Sequence, residues 1–297
     1  MARKSSWKNS KVVTKQAWGV IKENPYMLAF PVVGGILAII AVLVVGGAGL
    51  GIVGISQVAS DAEGGTISTG TYIVGIIVLV LAAYLGTLIT TIFMGGLVKC
   101  ADEELQGRDS GFGAGLSASF SRIGALLGWA AIQTAVGWLI SAVQGDGSND
   151  NVLVTILRAV LSSLMAVAWS VITFFVLPMI ILRNKGPMTA IKESVGLIRK
   201  TWGMQVAGSF RIGGLIVLLG VLPGILITVL GFFLSFGSSP AVGVPVLTIG
   251  VIVIIGAMVL VSAMRAIFSV AMLHYVEDGS AIGPFNTEEL EHAVRVR

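Results

Sequence analysis

Three arginines interrupt otherwise apolar stretches of this sequence: Arg158, Arg211 and Arg265. A guanidinium stays charged in proteins and carries N–H donors without an acceptor, so in hydrocarbon it must bond carbonyl oxygens, water or an anion. The apolar stretches around these arginines contain no Asp, Glu or His. All three arginines are therefore candidate ligand-binding residues, suited to an anionic or carbonyl group.

Two of these arginines lie near the ends of their stretches. Arg211 follows Trp202 closely, and its side chain is expected to extend to the phosphates at the near surface of the membrane. Arg158 lies about two helical turns from the far end of its stretch. Its side chain is expected to extend outward toward Asp146 or Asp150.

Arg265 lies deepest. It precedes His274 by nine residues, which places it about 13 Å from a polar boundary at His274 if the chain is helical. Its partner must be a backbone carbonyl, water, another subunit or an anionic ligand, and the residue types leave these alternatives open. The residues around it are small enough to leave room: Ser262, Ala263, Ala266 and Ser269.

The remaining chemistry-bearing residues argue against a catalytic or metal centre. His274 and His292 both fall in the polar segment after the last apolar stretch, so the serines have no histidine at their depth to act as a base. Cys100 is the only cysteine, which excludes an internal disulfide and a multi-cysteine metal site. Pro178 and Pro223 leave open a sodium site built from backbone carbonyls, although such prolines more often mark kinks. We expect neither an enzyme nor a cofactor.

The elements that carry these residues are membrane spans. Of the 297 residues, 55% are hydrophobic and 11% are charged, and the mean hydropathy is +0.95. A soluble domain has about a quarter of its residues charged, so the composition predicts an all-α integral membrane protein. Six apolar runs are each long enough to cross a bilayer: 27–55, 71–98, 123–143, 152–182, 206–236 and 244–273.

The distribution of charge predicts the orientation. None of the 19 Lys and Arg residues falls in the loops 56–70, 144–151 and 237–243. Basic residues collect on the cytoplasmic side of membrane proteins, so we expect these loops to face outward and both termini to be cytoplasmic. The net charge of +4 then reports topology and contact with anionic phospholipid head groups, and no nucleic acid is expected.

Three segments have the spacing of amphipathic surface helices, and each precedes a pair of spans. They are residues 4–22, the region around 112–123, and residues 188–202. In the third, the apolar face is predicted to contain Met188, Ile191, Val195, Ile198 and Trp202. The chain is thus expected to form one membrane domain over 1–297, comprising a cytoplasmic helix (1–26), a bundle of three two-span hairpins (27–273) and a cytoplasmic tail (274–297).

Several short patterns also resemble a known family. They are Leu97-x-x-Cys100-Ala101, Leu105-x-Gly107, the Trp169 span that contains Pro178, and a Gly186-Pro187 helix that ends Thr201-Trp202-Gly203. These resemble an uncharacterised family of prokaryotic six-span integral membrane proteins. The resemblance implies a prokaryotic plasma membrane and no assigned activity, so it supplies no functional residues.

Two functions fit these observations. The first is a non-enzymatic, membrane-embedded scaffold or accessory subunit that acts on a protein partner or on a second copy of the chain. The alternative is a binder or carrier of lipids or other amphiphilic anions that uses an intramembrane arginine, Arg265 above all. A tightly held lipid would favour the second function, and a stoichiometric protein partner would favour the first.

Overall fold

The computed structural model describes residues 15–62, 68–145, 151–202, 220–237 and 239–285. These residues are helical with short connections, and no strand occurs among them. The all-α prediction is confirmed at this level. Among the described residues, five helical segments are long and apolar enough to cross a membrane: Pro25–Val58, Thr69–Leu105, Ile123–Gln144, Val152–Leu182 and Pro240–Asp278.

The five segments coincide with the first four predicted spans and the sixth. The fifth predicted span, 206–236, falls partly outside the described residues, which resume at residue 220. Its described part is the shorter apolar helix Leu222–Phe236. A count of six spans therefore remains a prediction.

The helices are numbered in chain order. Residues 15–23 form α1, and a 3-10 turn at Pro25–Leu28 leads into the next helix. The remaining helices are α2 (Ala29–Ala62), α3 (Thr69–Leu105), α4 (Phe112–Phe120), α5 (Ile123–Gln144), α6 (Val152–Ile172), α7 (Val176–Leu182), α8 (Pro187–Trp202), α9 (Leu222–Gly237) and α10 (Pro240–Asp278).

Buried side chains concentrate in one half of the molecule, which we call the packed half. It comprises α1, α4, α7 and α8 together with residues 91–105 of α3 and 263–278 of α10. The opposite half, called the open half, comprises residues 39–58 of α2, 69–82 of α3, the helix α9 and residues 240–258 of α10. Most of its large apolar side chains are exposed, as expected where hydrocarbon rather than protein is the neighbour.

The first predicted surface helix lies against the packed half. Ala17, Val20 and Ile21, which the sequence places on its apolar face, are buried, and Lys15 and Lys22 are exposed. Residues 1–14 of this helix lie outside the described residues. The helix thus has a charged side and an apolar side that packs on protein, and its position at the membrane surface remains a prediction.

The second predicted surface helix forms as α4 and packs on α3. Its first residue, Phe112, stacks on Phe30 with ring centroids 4.5 Å apart. Gly115 allows α4 to approach α3 closely, because a Cβ at this position would lie 2.6 Å from the carbonyl oxygen of Gly96 in α3. Phe120, predicted to share the apolar face, is exposed.

The third predicted surface helix forms as α8, and its buried face overlaps the predicted one only in part: Ile198 is buried as predicted and Ile191 packs on the core. Ala190, Ser194 and Ile198 are buried, whereas Met188 is 64% exposed. The small residues Ala190 and Ser194 let α8 approach α6, and the Ser194 hydroxyl donates to the Ile172 carbonyl oxygen at 2.5 Å. The spacing of apolar residues predicts that Met188 is buried, because such a pattern gives weight to large apolar side chains. It does not predict the close helix contacts that small residues allow. The side chain of Trp202 lies outside the described part of the chain.

Candidate functional site

A cavity of about 370 Å³ opens at the edge of the packed half, between α3, α5, α6, α7 and α10. Its wall mixes aromatic and apolar side chains with hydroxyl groups, one amide and one guanidinium. The lining residues are Thr90, Thr91, Met94, Val98, Trp129, Gln133, Trp169, Ser170, Thr173, Phe174, Leu177, Pro178, Ser262, Arg265, Ala266 and Ser269.

A break between α6 and α7 forms one wall of the cavity. Pro178 has no N–H to donate four residues back to Phe174, and its ring crowds that carbonyl in a regular helix. The chain leaves helical geometry at residues 173–175 and resumes it at Val176. The amide of Phe174 then bonds the Val171 carbonyl oxygen at 3.1 Å. In a continuous helix that amide would bond Ser170 instead, so the break frees the Ser170 carbonyl.

Arg265 bonds the freed carbonyl. Its Nη2 donates to the Ser170 oxygen at 2.7 Å, and its guanidinium carbon lies 6.0 Å from the centroid of the Phe174 ring. This contact is one of the partners expected from the sequence, a backbone carbonyl. The remaining N–H groups of the guanidinium have no carboxylate partner in the described part of the chain, and none of the cavity-lining residues is Asp or Glu.

The exposure of Arg265 sets it apart from its neighbours on α10. Every residue from Ala263 to His274 is buried except Arg265. A long cation in hydrocarbon normally extends to the nearest polar boundary. Arg265 instead remains beside the cavity, held by a carbonyl and an aromatic ring.

Five of the six hydroxyl groups of the cavity wall are already engaged as donors to nearby backbone carbonyls. Each hydroxyl has one proton and two lone pairs. The donating residues and their acceptor carbonyls are Thr90 with Thr87 at 2.9 Å, Thr91 with Thr87 at 2.7 Å, Thr173 with Trp169 at 2.8 Å, Ser262 with Met258 at 2.8 Å and Ser269 with Ala266 at 2.8 Å.

Two indoles complete the wall. Trp129 of α5 stacks on Trp169 of α6 with ring centroids 5.9 Å apart. Trp129 is 2% exposed, and its Nε1 has no hydrogen-bond partner among the described residues. A buried N–H without a partner carries a free-energy penalty. The neighbouring Gln133 adds an amide that can both donate and accept.

A second polar cluster, which the sequence did not indicate, lies deeper in the packed half. His274 Nε2 lies 2.7 Å from Asp102 Oδ1, and both residues are buried. His274 Nδ1 faces Asp278 at 3.3 Å, and Gln106 donates to Asp102 at 2.7 Å. The sequence had assigned His274 to a polar tail, but α10 continues through it to Asp278. One sequence signal of this cluster was available: His274 and Asp278 are four residues apart, which places them on one face of a helix.

The same region ties α10 to the end of α7. Arg183 Nε donates to Glu277 Oε2 at 2.8 Å, and this bond raises the pKa of the Arg183 guanidinium. The described residues contain no group of three or more His, Cys, Asp or Glu side chains that could hold a metal ion.

Of the other two candidate arginines, Arg158 does not line the cavity, and Arg211 lies outside the described residues. Arg158 lies on α6 beside the end of α5, where a Cβ on Gly145 would lie 2.5 Å from its Nη1. Gly145 also has a φ of 69°, so a side chain there would be strained. Asp146 and Asp150, its expected partners, lie outside the described residues, as does Arg211.

Comparison with known proteins gives a family but no activity. No curated protein matches the chain. The model of a family described as a family of unknown function, DUF6159, matches residues 71–283. This match contains every residue that lines the cavity, together with Asp102 and His274, and it covers more than half of the 297 residues. The chain belongs to this family of unknown function.

Proposed function

We propose that this protein binds an anionic amphiphile in the cavity, with Arg265 as the residue that recognises the negative charge. One observation carries the proposal: in an otherwise buried stretch of a membrane-length helix, an arginine faces a cavity that no described carboxylate lines. A cation at membrane depth without a counter-charge is costly, whether it faces protein or hydrocarbon. A bound anion would offset that cost, and one carbonyl and one ring offset only part of it.

The size and setting of the cavity support an amphiphile. A volume of about 370 Å³ lies within the range of small-molecule sites, which suits a head group better than a whole two-chain lipid. The helices beside the cavity expose a wide apolar surface, including Leu161 of α6 and Met258 of α10. Acyl chains can lie along that surface while the charged group bonds Arg265.

Membrane placement completes the proposal. We infer six spans in three hairpins, each preceded by an amphipathic helix at the membrane surface, with both termini cytoplasmic, in a prokaryotic plasma membrane. The absence of Lys and Arg from the predicted outer loops supports the orientation, and the family resemblance supports the location. Basic side chains exposed on the surface helices, such as Lys22 and Lys192, would contact anionic head groups.

Binding is tested with Arg265→Met and its matched control Arg158→Met, which removes the other described intramembrane arginine, outside the cavity. Wild-type protein and both variants are purified in mild detergent and titrated with a brominated anionic phospholipid. The other four tryptophans are replaced by Phe in all three proteins, so that quenching of Trp129 and Trp169, which line the cavity, reports the site. We expect Arg265→Met to weaken binding about tenfold or more, since a hydrogen-bonded charge contributes about 1.5–3 kcal/mol, and Arg158→Met to bind as wild type.

The outcome also separates the two candidate functions. Unchanged quenching in Arg265→Met, with a thermal midpoint like that of the wild type, would contradict the proposal. If the wild type holds no anionic lipid but purifies with a stoichiometric protein partner, the protein is instead a scaffold or accessory subunit. Arg265→Lys keeps the charge but not the paired N–H groups, and it should recover part of the affinity.

Orientation needs introduced cysteines, because Cys100 is fully buried. An impermeant thiol reagent would fail to label Cys100 from either side of the membrane. In a Cys100→Ser background, Ser68→Cys and Lys192→Cys place thiols at exposed positions in a predicted outer loop and on α8. We expect labelling of the first in intact cells and of the second only after lysis. The reverse pattern would invert the topology.

A further inference from the structure

We propose that the charged group bound at Arg265 also carries hydroxyl donors, as a glycerol phosphate group does. This inference rests on the proposed function, because it specifies the chemistry of the anion that Arg265 recognises. It derives from the hydrogen-bond inventory of the cavity wall rather than from its charge.

Most hydroxyl groups of the wall offer lone pairs rather than protons. Six hydroxyl residues line the cavity, and five of them donate their one proton to a backbone carbonyl three or four residues earlier in the chain. What these oxygens retain is acceptor capacity. The residues are Thr90, Thr91, Thr173, Ser262 and Ser269.

Two of these acceptors flank the arginine. Ser262 and Ser269 lie three residues before and four residues after Arg265, so all three share one face of α10. Neighbours at these spacings have Cβ atoms about 5–6 Å apart. The bound group must therefore present an anion to the guanidinium and donors to oxygens about one helical turn away on either side.

An anion that only accepts hydrogen bonds leaves the five hydroxyl acceptors of this wall without donors. The phosphate of a phosphatidic acid can accept from Arg265, from Gln133 and from Trp129 Nε1, but it sets its other oxygens against the hydroxyl lone pairs. A phosphodiester bearing a vicinal diol would satisfy both Arg265 and the hydroxyl acceptors. Its charged oxygens accept from the guanidinium, and its two hydroxyls are donors a few bonds from the charge. The chemistry is shared by the head group of phosphatidylglycerol and by free glycerol phosphate.

The test compares two anionic lipids in nanodiscs of otherwise uncharged phosphatidylcholine. One contains phosphatidylglycerol and the other contains phosphatidic acid with the same acyl chains. We expect phosphatidylglycerol to bind about tenfold more tightly, which corresponds to one or two additional hydrogen bonds. This order opposes simple charge attraction, because phosphatidic acid carries at least as much negative charge.

Matched variants test whether the hydroxyl groups of the cavity wall cause the preference for phosphatidylglycerol over phosphatidic acid. The double variant Thr90→Val with Thr173→Val keeps side-chain shape and removes two acceptors, so it should lose most of the preference while still binding both lipids. Thr87→Val is the control: its hydroxyl bonds the Ala83 carbonyl at 2.8 Å, and the residue does not line the cavity. We expect this variant to retain the full preference.

Soluble competitors distinguish the source of the group. If glycerol 3-phosphate displaces phosphatidylglycerol and inorganic phosphate does not, the head group alone is recognised and a water-soluble ligand is supported. If neither competes and the lipid preference holds, acyl chains are needed and the lipid is the ligand.

The failures of the two proposals differ. Equal affinity for both lipids in the wild type, lost together in Arg265→Met, would overturn the diol inference and leave anion binding intact. A preference that survives in the Thr90→Val, Thr173→Val variant would also overturn it. Absence of binding of either lipid would overturn both.

Discussion

In the packed half, α3 buries nearly every residue from Thr91 to Asp102, and α10 does the same from Ala263 to His274. The same two helices run on into the open half, where Ile77 and Ile252 are 58% and 62% exposed. Composition does not distinguish the halves, because both are apolar. In hydrocarbon an apolar side chain gains little by choosing protein over lipid. Packing must then follow from small residues and from polar groups that need partners.

Small residues make the contacts of the open half. Residues buried there on α10 are Gly243, Gly250 and Ala257, spaced seven apart. At Gly231 of α9 the backbones of α9 and α10 nearly touch, since a Cβ there would lie 2.2 Å from the Leu247 amide nitrogen. The packed half combines such contacts with aromatic packing and a buried Asp102–His274 pair. The cavity opens where the dense packing ends.

The largest effect is expected from breaking the buried pair of the packed half. Asp102→Ala should lower the free energy of unfolding by about 3–5 kcal/mol, because it leaves His274 and its neighbours with an unpaired buried polar group. Replacing both partners, as in Asp102→Leu with His274→Met, should restore much of the loss. Unfolding in mixed micelles measures both, with the exposed Asp109→Ala as control. A double variant as unstable as the single one would mean that the pair itself stabilises the fold.

The next effect concerns the backbone contact of the open half. Gly231→Ala should destabilise the protein by about 1–3 kcal/mol, because the new methyl group overlaps α10 and the two helices must separate. Gly51→Ala on α2 is the matched control, since nothing lies within 4 Å of its Cβ position. Thermal midpoints in detergent give the comparison. If the two variants have the same thermal midpoint, the backbones of α9 and α10 are not in close contact at Gly231.

The smallest effect separates two neighbouring residues of α3 in the open half. Val78 packs on Gly49 of α2, whereas Ile77 is exposed. Val78→Ala should cost about 1 kcal/mol and Ile77→Ala should stay within about 0.5 kcal/mol, since only the first loses a protein contact. Equal losses would show that Ile77 also meets protein, as it would in an oligomer.

Much of this architecture follows from the sequence alone. Runs of uncharged residues longer than a bilayer predict helices, and five of the six predicted spans coincide with membrane-length helices. Segment 188–202, predicted as an amphipathic helix, is helical in α8, and the sequence singles out Arg265 because no acid lies at its depth in the predicted spans. Length, charge and local period are properties of a short segment, so they can be read without knowing the neighbours.

Contacts between distant segments required the tertiary structure. His274 pairs with Asp102 across 172 positions of the chain, and no local pattern links them. Pro178 predicts a break that frees a carbonyl, but only the tertiary structure shows that Arg265 of α10 bonds the Ser170 carbonyl of α6. The face of α8 that is buried was likewise set by the neighbouring helix. In an apolar medium, hydrophobic pattern fixes where a helix lies along the membrane normal, while close packing and polar pairing fix which helix it meets.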